Sequence, residues 1–250
     1  MLLAEINGKP CPEVEGLEDL ITSTVFGQLR LIAPPRFWPE LFRRARTAET
    51  PDRSLSDVLL GLNTDAYLYT QVEIQFWRSF FDYGEPDLIA YFTGDKVQPL
   101  LVLIEVKLNS GKSGIGERDQ LARYLSLFDD RQCVPEWPCD VDRRFLLYLT
   151  RSFASDDLHD SVSASKSVNA RGRMFGLEWN DLLEVANGQR LGNDLLGEVA
   201  DFLKRRGFEK FAGFGAVPLS AIPNGSFYGT RYYKDVPILG LAVGGNFYEQ

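Results

Sequence analysis

Residues 100–108, LLVLIEVKL, form the most continuous apolar run in the chain and decide its fold. A run that is apolar at successive positions is typical of a strand covered on both faces, in the middle of a sheet. Two charged residues, Glu105 and Lys107, interrupt this run near its end. Because side chains alternate along a strand, these two share one face. The sequence therefore predicts a central strand that ends in a charged pair.

The residues before this run predict two further strands, separated by turns. Both segments are rich in aromatic and β-branched residues. They are YLYTQVEIQFW (67–77) and PDLIAYF (86–92), with the turn DYGE (82–85) between them. Gly94 and Asp95 make the next turn, which leads into the central run. The sequence therefore predicts three consecutive strands, the last two joined as a hairpin.

This hairpin brings three charged side chains together. It sets the start of one strand beside the end of the next, so that Asp87 lies opposite Glu105 and Lys107. Carboxylate oxygens are the preferred ligands of Mg²⁺ or Mn²⁺, which keep waters and accept phosphate oxygens as further ligands. Such an ion polarises a phosphodiester and lowers the pKa of a bound water. Lys107 is placed to position that water or to stabilise the developing charge.

Helical patterns flank the predicted strands. Apolar positions from Val14 to Ile32 recur at helical spacing and stop before Pro34, which predicts a first helix. Ser54 or Ser56 is placed to cap a short second helix. After the central run the expected elements are a helix at DQLARYL, strands at FLLYLT and GRMFGLEW, and helices at NDLLEVA and LLGEVADFLKRRGF. This alternation predicts an α/β fold.

Composition limits the classes of function. A chain of 250 residues with 44% hydrophobic content supports one large domain, and no window approaches the ~18 consecutive apolar residues that span a bilayer. The acidic first twenty residues argue against a signal peptide.

Cys11, Cys133 and Cys139 lack metal-ligand spacing, which favours free thiols in a reducing cytoplasm. The only histidine, His159, is expected in a solvated loop and excludes sites that need several imidazoles.

Net charge argues against strong binding of nucleic acid by the isolated chain. The formal charge is −8, and such a field repels phosphate at long range. Basic clusters at residues 43–46, 143–144 and 204–206 form either a local basic face or ordinary helix surface. We therefore expect a DNA-binding protein partner or a homo-oligomer.

At the PD of residues 86–87 and the EVK of residues 105–107, the chain resembles the PD-(D/E)XK nuclease superfamily, which has the restriction-endonuclease-like fold. The resemblance implies an αβββαβ core with a mixed central sheet flanked by helices. It implies that Asp87 and Glu105 bind the metal and that Lys107 assists catalysis. DNA is then the expected substrate, Mg²⁺ or Mn²⁺ the cofactor, and restriction or anti-phage defence a suitable setting.

Flanking positions extend the resemblance. Many family members carry a Glu on the first helix that completes the metal site, and Glu18 is the matching position. Many also place a Gln on the helix after the E-x-K strand, and Gln120 is similar, with an expected role in steadying the site. The expected nucleic-acid contacts are Lys112, Arg118, Arg123 and Tyr124.

Each of these functional assignments also has a purely structural alternative. The acids and Lys107 can form a structural ion pair, and the helix dipole alone favours a Glu such as Glu18 in the first turns of a helix. The other candidates can be core or solvated surface. A catalytically silent protein with this fold, acting as an interaction module, or a nuclease acting on RNA, therefore stays open. SGKS (110–113) is not a phosphate-binding P-loop, because Val106 stands where that motif needs glycine.

The predicted nuclease-like domain covers residues 10–212, and a C-terminal extension covers residues 213–250, packed on the core or on a partner. From about Val217 the chain is rich in Gly, Pro and aromatic residues, which is typical of a terminal hairpin or sheet extension. The aromatic residues of the extension are partner surface, a base-stacking platform or core. They include Phe227, Tyr228, Tyr232 and Tyr233.

Overall fold

The computed structural model describes residues 17–48, 50, 52–130, 136–167 and 169–210, and its centre is a five-stranded mixed sheet. The strands follow chain order across the sheet: β1 Gln71–Phe76, β2 Leu88–Gly94, β3 Val97–Val106, β4 Arg144–Thr150 and β5 Met174–Glu178. β1, β2 and β3 are antiparallel neighbours, whereas β4 runs parallel to β3 and β5 runs parallel to β4. The predicted central strand is confirmed as the middle strand of the sheet.

Helices surround this sheet, and eight α-helices occur among the described residues. They are α1 Leu17–Leu29, α2 Trp38–Arg44, α3 Leu55–Gly61, α4 Gln120–Leu127, α5 Ser155–Ala164, α6 Ala170–Arg173, α7 Trp179–Gly188 and α8 Asp194–Arg205. Short 3-10 helices join them at Pro34–Arg36, Ala66–Leu68, Gly116–Arg118 and Val141–Arg143. The predicted α/β fold is therefore confirmed.

The register of the β2–β3 hairpin positions the charged residues. The last seven residues of β3 are all buried, as expected of a strand covered on both faces. Leu88 of β2 pairs with Ile104 of β3 in an antiparallel register. The residues next to this pair are Asp87 and Glu105, which the hairpin therefore sets side by side.

The two faces of the sheet carry separate apolar cores, because side chains alternate along each strand. One face packs on α1, α7 and α8 and includes Val102 and Ile104 of β3. The other face packs on α4 and α5 and includes Leu101 and Leu103. Glu105 is in phase with Leu101 and Leu103. The alternation therefore directs the charged end of β3 toward α4.

Side-chain caps set where two of the helices begin. The Ser54 hydroxyl accepts a hydrogen bond from the amide of Asp57, and the Asp57 carboxylate accepts one from the amide of Ser54 at 2.8 Å. The structure thus selects Ser54, rather than Ser56, as the cap of α3. Asp119 caps α4, because its Oδ1 accepts a hydrogen bond from the amide of Ala122 at 2.9 Å.

The prediction of a loop around His159 is wrong. This residue lies on the exposed side of α5. Asp156 and Asp157 in the first turn favour a helix through its dipole, and Leu158 and Ser161, three residues apart, are buried on the inner side. A short polar stretch with two buried positions at helical spacing is therefore helix surface, not loop.

The first predicted strand is shorter than expected. Its first residues form the 3-10 helix Ala66–Leu68 instead, because the Asp65 carboxylate accepts a hydrogen bond from the amide of Tyr67 at 3.0 Å. Tyr69 follows as a buried residue whose hydroxyl donates to the carbonyl oxygen of Gln98 at 3.1 Å. Local side-chain capping thus outweighs the strand propensity of these aromatic residues.

Other expectations concern the cysteines and the ends of the chain. Cys139 is a half-buried free thiol, whereas Cys11 and Cys133 lie outside the described residues. The predicted extension, residues 213–250, also lies outside them. Within the part of the chain that the structure describes, no helix is long and apolar enough to cross a membrane.

Candidate active site

Asp87, Glu105 and Lys107 meet at the end of β3. Asp87 directly precedes β2, and its Oδ2 accepts a hydrogen bond from the backbone amide of Val106 at 2.8 Å. Lys107 directly follows β3, and its Nζ lies 2.8 Å from Oε1 of Glu105. Both carboxylates are buried. The structure therefore brings together the three residues that the hairpin prediction placed opposite one another.

Glu18 reaches the same place from the start of α1. Its Oε1 lies 3.2 Å from Nζ of Lys107, and its Oε2 accepts a hydrogen bond from the amide of Leu108 at 2.9 Å. Lys107 therefore bridges Glu18 and Glu105. We call Glu18, Asp87, Glu105 and Lys107 the acidic cluster.

Burial dominates the electrostatics of this cluster. Burial raises the pKa of Asp87 to about 6, against the opposing effects of the Lys107 charge and the hydrogen bond from Val106. Burial and then the neighbouring charge of Asp87 raise the pKa of Glu105 to about 8. Burial acts to lower the pKa of Lys107, but the nearby carboxylates, Glu105 first, outweigh it and raise that pKa.

The charges of the acidic cluster do not balance. Three carboxylates share one ammonium group, and Oε2 of Glu105 is a buried oxygen without a hydrogen-bond partner. Leaving a buried acceptor unsatisfied costs about 1–3 kcal/mol, and more for a charged group. The cluster is therefore arranged to gain either a proton or a cation.

The chemistry of the donors suits a hard cation, although the predicted three-ligand set is not preassembled. Among the described residues, no group of three or more His, Cys, Asp or Glu side chains is placed to hold a metal ion. Lys107 stands between Glu18 and Glu105, so Glu18 is an ion-pair partner of Lys107 in this arrangement, and its role as a metal ligand stays a prediction. Asp87 and Glu105 remain, and Mg²⁺ commonly binds through one or two carboxylates plus waters and substrate oxygens.

Tyr124 of α4 is near enough to the acidic cluster for the charges of Glu105 and Asp87 to act on it, and Gln120 contacts Tyr124. The Gln120 amide group donates a hydrogen bond to the Tyr124 hydroxyl at 2.9 Å, and its own oxygen, Oε1, is buried without a partner. Burial, followed by the charge of Glu105, raises the pKa of Tyr124. Gln120 therefore contacts a neighbour of the acidic cluster, and its expected role in steadying the site stays a prediction.

Two expected nucleic-acid contacts do not lie at the surface. Tyr124 is fully buried. Lys112 lies in a buried ion pair, with its Nζ 2.6 Å from Oδ2 of Asp119, and it also donates to Ser161 Oγ at 2.9 Å and to the Asp157 carbonyl oxygen at 3.1 Å. We call Lys112, Asp119, Asp157 and Ser161 the Lys112 network. Both side chains are thus engaged inside the protein, and their expected contacts with nucleic acid stay predictions.

The other two expected contacts have different surroundings. Arg118 is exposed at the end of the 3-10 helix before α4. Arg123 is half-buried, and its Nε is a buried atom without a hydrogen-bond partner. Arg118 therefore remains accessible to a phosphate, whereas Arg123 is mainly committed to the protein interior.

Members of all three basic clusters are engaged with nearby groups of the protein. Arg43 pairs with Glu40 at 2.7 Å. Arg44 pairs with Glu184 and, at 3.5 Å, with Asp181. Farther along the chain, Arg144 is buried and donates to the backbone carbonyl groups of Phe128 and Cys139. Lys204 lies 3.8 Å from Glu209.

Two features around the site were not predicted from the sequence. Tyr148 lies beside Glu105 in the parallel β3–β4 pair, and its hydroxyl donates to Oδ2 of Asp157 at 3.1 Å. Asp119 caps the start of α4 and also pairs with Lys112, so it links this helix to the Lys112 network. An acid directly before a helical pattern is a capping signal, so the sequence does mark Asp119. No pattern in the residues around Tyr148 indicates that it lies beside Glu105.

The loop between β1 and β2 has an unusual backbone where it enters the site. The amide of Trp77 donates to the carbonyl oxygen of Asp87 at 3.1 Å, so the two ends of the loop are joined at the acidic cluster. Trp77 has φ of 51° and Asp82 has φ of 60°. Left-handed conformations of residues other than glycine cost about 1–3 kcal/mol each and often mark functional sites.

No protein-family model, curated protein or solved structure matches the chain. The resemblance to the PD-(D/E)XK superfamily therefore rests on the residues at 86–87 and 105–107 and on the geometry around them.

Proposed function

We propose that this protein is a metal-dependent nuclease that hydrolyses DNA phosphodiester bonds. The observation that carries the proposal is the uncompensated charge at the end of β3. Asp87 and Glu105 are buried side by side, and Oε2 of Glu105 has no hydrogen-bond partner. A divalent cation would balance these two carboxylates, as Lys107 alone does not.

Each member of the site has a distinct role in this proposal. Asp87 and Glu105 hold Mg²⁺ or Mn²⁺, which supplies Lewis-acid activation of the phosphodiester and of water when bound. Lys107 donates hydrogen bonds to the attacking water or to the phosphate oxygens. Glu18 holds the Lys107 ammonium group in place, and Gln120 offers its amide oxygen to the same ligand shell.

The order of the elements supports the restriction-endonuclease-like core within this proposal. α1 comes first, β1 to β3 form an antiparallel meander, α4 follows, and β4 returns parallel to β3. This agrees with the αβββαβ order that the resemblance implies, with α2 and α3 inserted before β1. The proposal also keeps a restriction or anti-phage setting as the context for such a nuclease.

A protein partner or a homo-oligomer is part of the proposal. The chain carries a formal charge of −8, and within its first basic cluster Arg43 and Arg44 are paired with Glu40 and Glu184. Association with DNA then needs positive charge from another subunit or protein. If size-exclusion chromatography shows a monomer that binds DNA tightly alone, this part of the proposal is wrong.

A catalytically silent interaction module is the second candidate. The observation that favours it is that no three-ligand metal group occurs among the described residues, while Lys107 is already paired with two carboxylates. In that case the acidic cluster is a strained ion-pair site, and it binds no cation with or without DNA. The cleavage assay described below, run with RNA as well as DNA, also tests whether RNA is the substrate.

Metal titration with an isosteric variant tests the proposal. We expect calorimetry to show Mg²⁺ or Mn²⁺ binding to the parent protein, and we expect Asp87→Asn to lower cleavage of linear and supercoiled DNA by roughly 10²- to 10³-fold. The Asn side chain can still accept from Val106, so the fold should persist. Asp160→Asn, at an exposed position on α5, is the matched control and should cleave like the parent.

Two results would count against a nuclease. Equal cleavage by the parent and Asp87→Asn would remove the acidic cluster from the chemistry. A parent protein that binds no metal, even with DNA present, would favour the interaction module. RNA oligonucleotides in parallel reactions distinguish the two nucleic acids.

A further inference from the structure

One aromatic residue in the loop that leads into Asp87 faces solvent. Phe81, in the loop between β1 and β2, is 92% exposed. Its neighbour Phe80 is buried and belongs to the same apolar core as Tyr124. The loop therefore anchors one ring in the protein and presents the next ring outward.

This loop is held in shape by its own hydrogen bonds. The amide of Phe80 donates to the carbonyl oxygen of Gly84 at 2.8 Å, and the amide of Gly84 donates back at 3.0 Å. The Tyr83 hydroxyl donates to Asp130 at 3.2 Å, and Arg78 pairs with Glu136 at 2.8 Å. Phe81 thus lies at the tip of a turn whose conformation is fixed by hydrogen bonds. A fixed turn loses less conformational entropy when the ring binds a ligand.

The loop packs directly on the residues that line the acidic cluster. A Cβ added to Gly84, which has φ of 107°, would lie 3.5 Å from Cε1 and 3.7 Å from the hydroxyl oxygen of Tyr124. The charges of Glu105 and Asp87 both act on Tyr124. The loop also ends on Asp87 itself, through the hydrogen bond from Trp77. A ligand at the acidic cluster therefore meets this loop.

We propose that Phe81 stacks on an unpaired base next to the phosphate that the acidic cluster engages. The preferred substrate is then single-stranded or locally opened nucleic acid, because a base inside a duplex has no free face for the ring. This inference rests on the proposed nuclease function. Stacking on an aromatic ring is independent of net charge, so it provides affinity that the chain's own charge of −8 does not.

Binding to single-stranded oligonucleotides measures the contribution of the ring. We expect Phe81→Ala to weaken binding of a fluorescent single strand by about 5- to 100-fold in an anisotropy titration, the range typical of base–aromatic stacking. Phe81→Trp keeps a stacking surface and should bind within about twofold of the parent. Leu191→Ala removes a side chain that is 88% exposed outside this loop and should bind like the parent.

An oligonucleotide that lacks bases at several positions identifies what the ring touches. Removing the bases should weaken binding by the parent but leave Phe81→Ala unaffected, because the variant has already lost the contact. Equal effects of base removal on both proteins would overturn the stacking proposal. So would a Phe81→Ala variant that binds paired and single strands as tightly as the parent.

The outcomes separate this inference from the nuclease proposal. If the parent cleaves DNA and Phe81→Ala cleaves single strands equally fast, the nuclease stands and the stacking contact is wrong. If binding depends on Phe81 but neither protein cleaves with Mg²⁺ or Mn²⁺, the stacking contact stands and the nuclease proposal is wrong. Thermal melts of each variant identify any loss of folding.

Discussion

Two buried charged clusters lie beside α4 and differ in how completely their charges are paired. In the Lys112 network, one ammonium group meets one carboxylate at 2.6 Å, and two further oxygens complete its hydrogen bonds. In the acidic cluster, the Lys107 ammonium group pairs with two of the three carboxylates, Glu18 and Glu105, and a buried oxygen of Glu105 has no hydrogen-bond partner. The sequence alone does not show which of these two lysines has its charge fully balanced.

This difference predicts a structural role for the Lys112 network and a ligand-binding role for the acidic cluster. A buried ion pair persists when hydrogen bonds satisfy both partners, and removing either partner is strongly destabilising. A cluster with surplus negative charge instead favours the binding of protons or cations. We therefore expect substitutions in the Lys112 network to change stability, and substitutions in the acidic cluster to change ligand binding and its dependence on pH.

The largest expected effect is on the Lys112 network. Lys112→Met leaves the Asp119 carboxylate buried without its cation and should lower the free energy of unfolding by about 3–5 kcal/mol. Urea denaturation monitored by circular dichroism measures it. Lys166→Met is the control, because this lysine pairs with Glu117 at the surface and its loss should change little. Equal stability of the two variants would mean that the buried pair contributes nothing.

A smaller effect is expected from pH on the metal-free protein. Burial raises the pKa of Asp87 to about 6 and that of Glu105 to about 8, so both bind a proton more tightly when folded. Their stabilising contribution is therefore present at low pH and is lost as the pH rises through these values. Between pH 6.5 and 8.5 we expect this to cost roughly 2 kcal/mol in the free energy of unfolding.

Comparison with Glu105→Gln isolates this pH effect. The amide cannot ionise, so the variant should lose less stability than the parent over the same range in a chelating buffer. Added Mn²⁺ should reduce the loss in the parent only. Parallel pH profiles of the parent and Glu105→Gln would show that Glu105 does not titrate in this range and would weaken the case for a cation there.

The smallest expected effect comes from a single hydroxyl in the Lys112 network. Ser161→Ala removes hydrogen bonds with Lys112 and with Asp119, each 2.9 Å long, but leaves their ion pair intact. The free energy of unfolding should fall by about 1–2 kcal/mol. Ser163→Ala, at an exposed position of the same helix, should leave it unchanged. If both substitutions act equally, helix propensity and not the network explains the change.

Much of the candidate site followed from local pattern. The apolar run of residues 100–108 marks the middle strand, and the turn before it predicts an antiparallel hairpin with β2. The register shifts between Phe92 and Gly94, which the sequence did not predict, and the shifted register puts Asp87 beside Glu105. Strand alternation then puts Lys107 on the same face as Glu105. Periodicity also located α1 and α4, and with them the positions of Glu18 and Gln120 near the site.

The sequence by itself determined the α/β fold and the meeting of Asp87, Glu105 and Lys107, because both depend on short-range alternation and turns. Only the tertiary structure decided which polar residues are buried. α5 covers Lys112 and Ser161, the apolar core encloses Tyr124, and Lys107 takes the place between Glu18 and Glu105. These outcomes depend on contacts between residues that are distant in the chain, which local spacing does not encode.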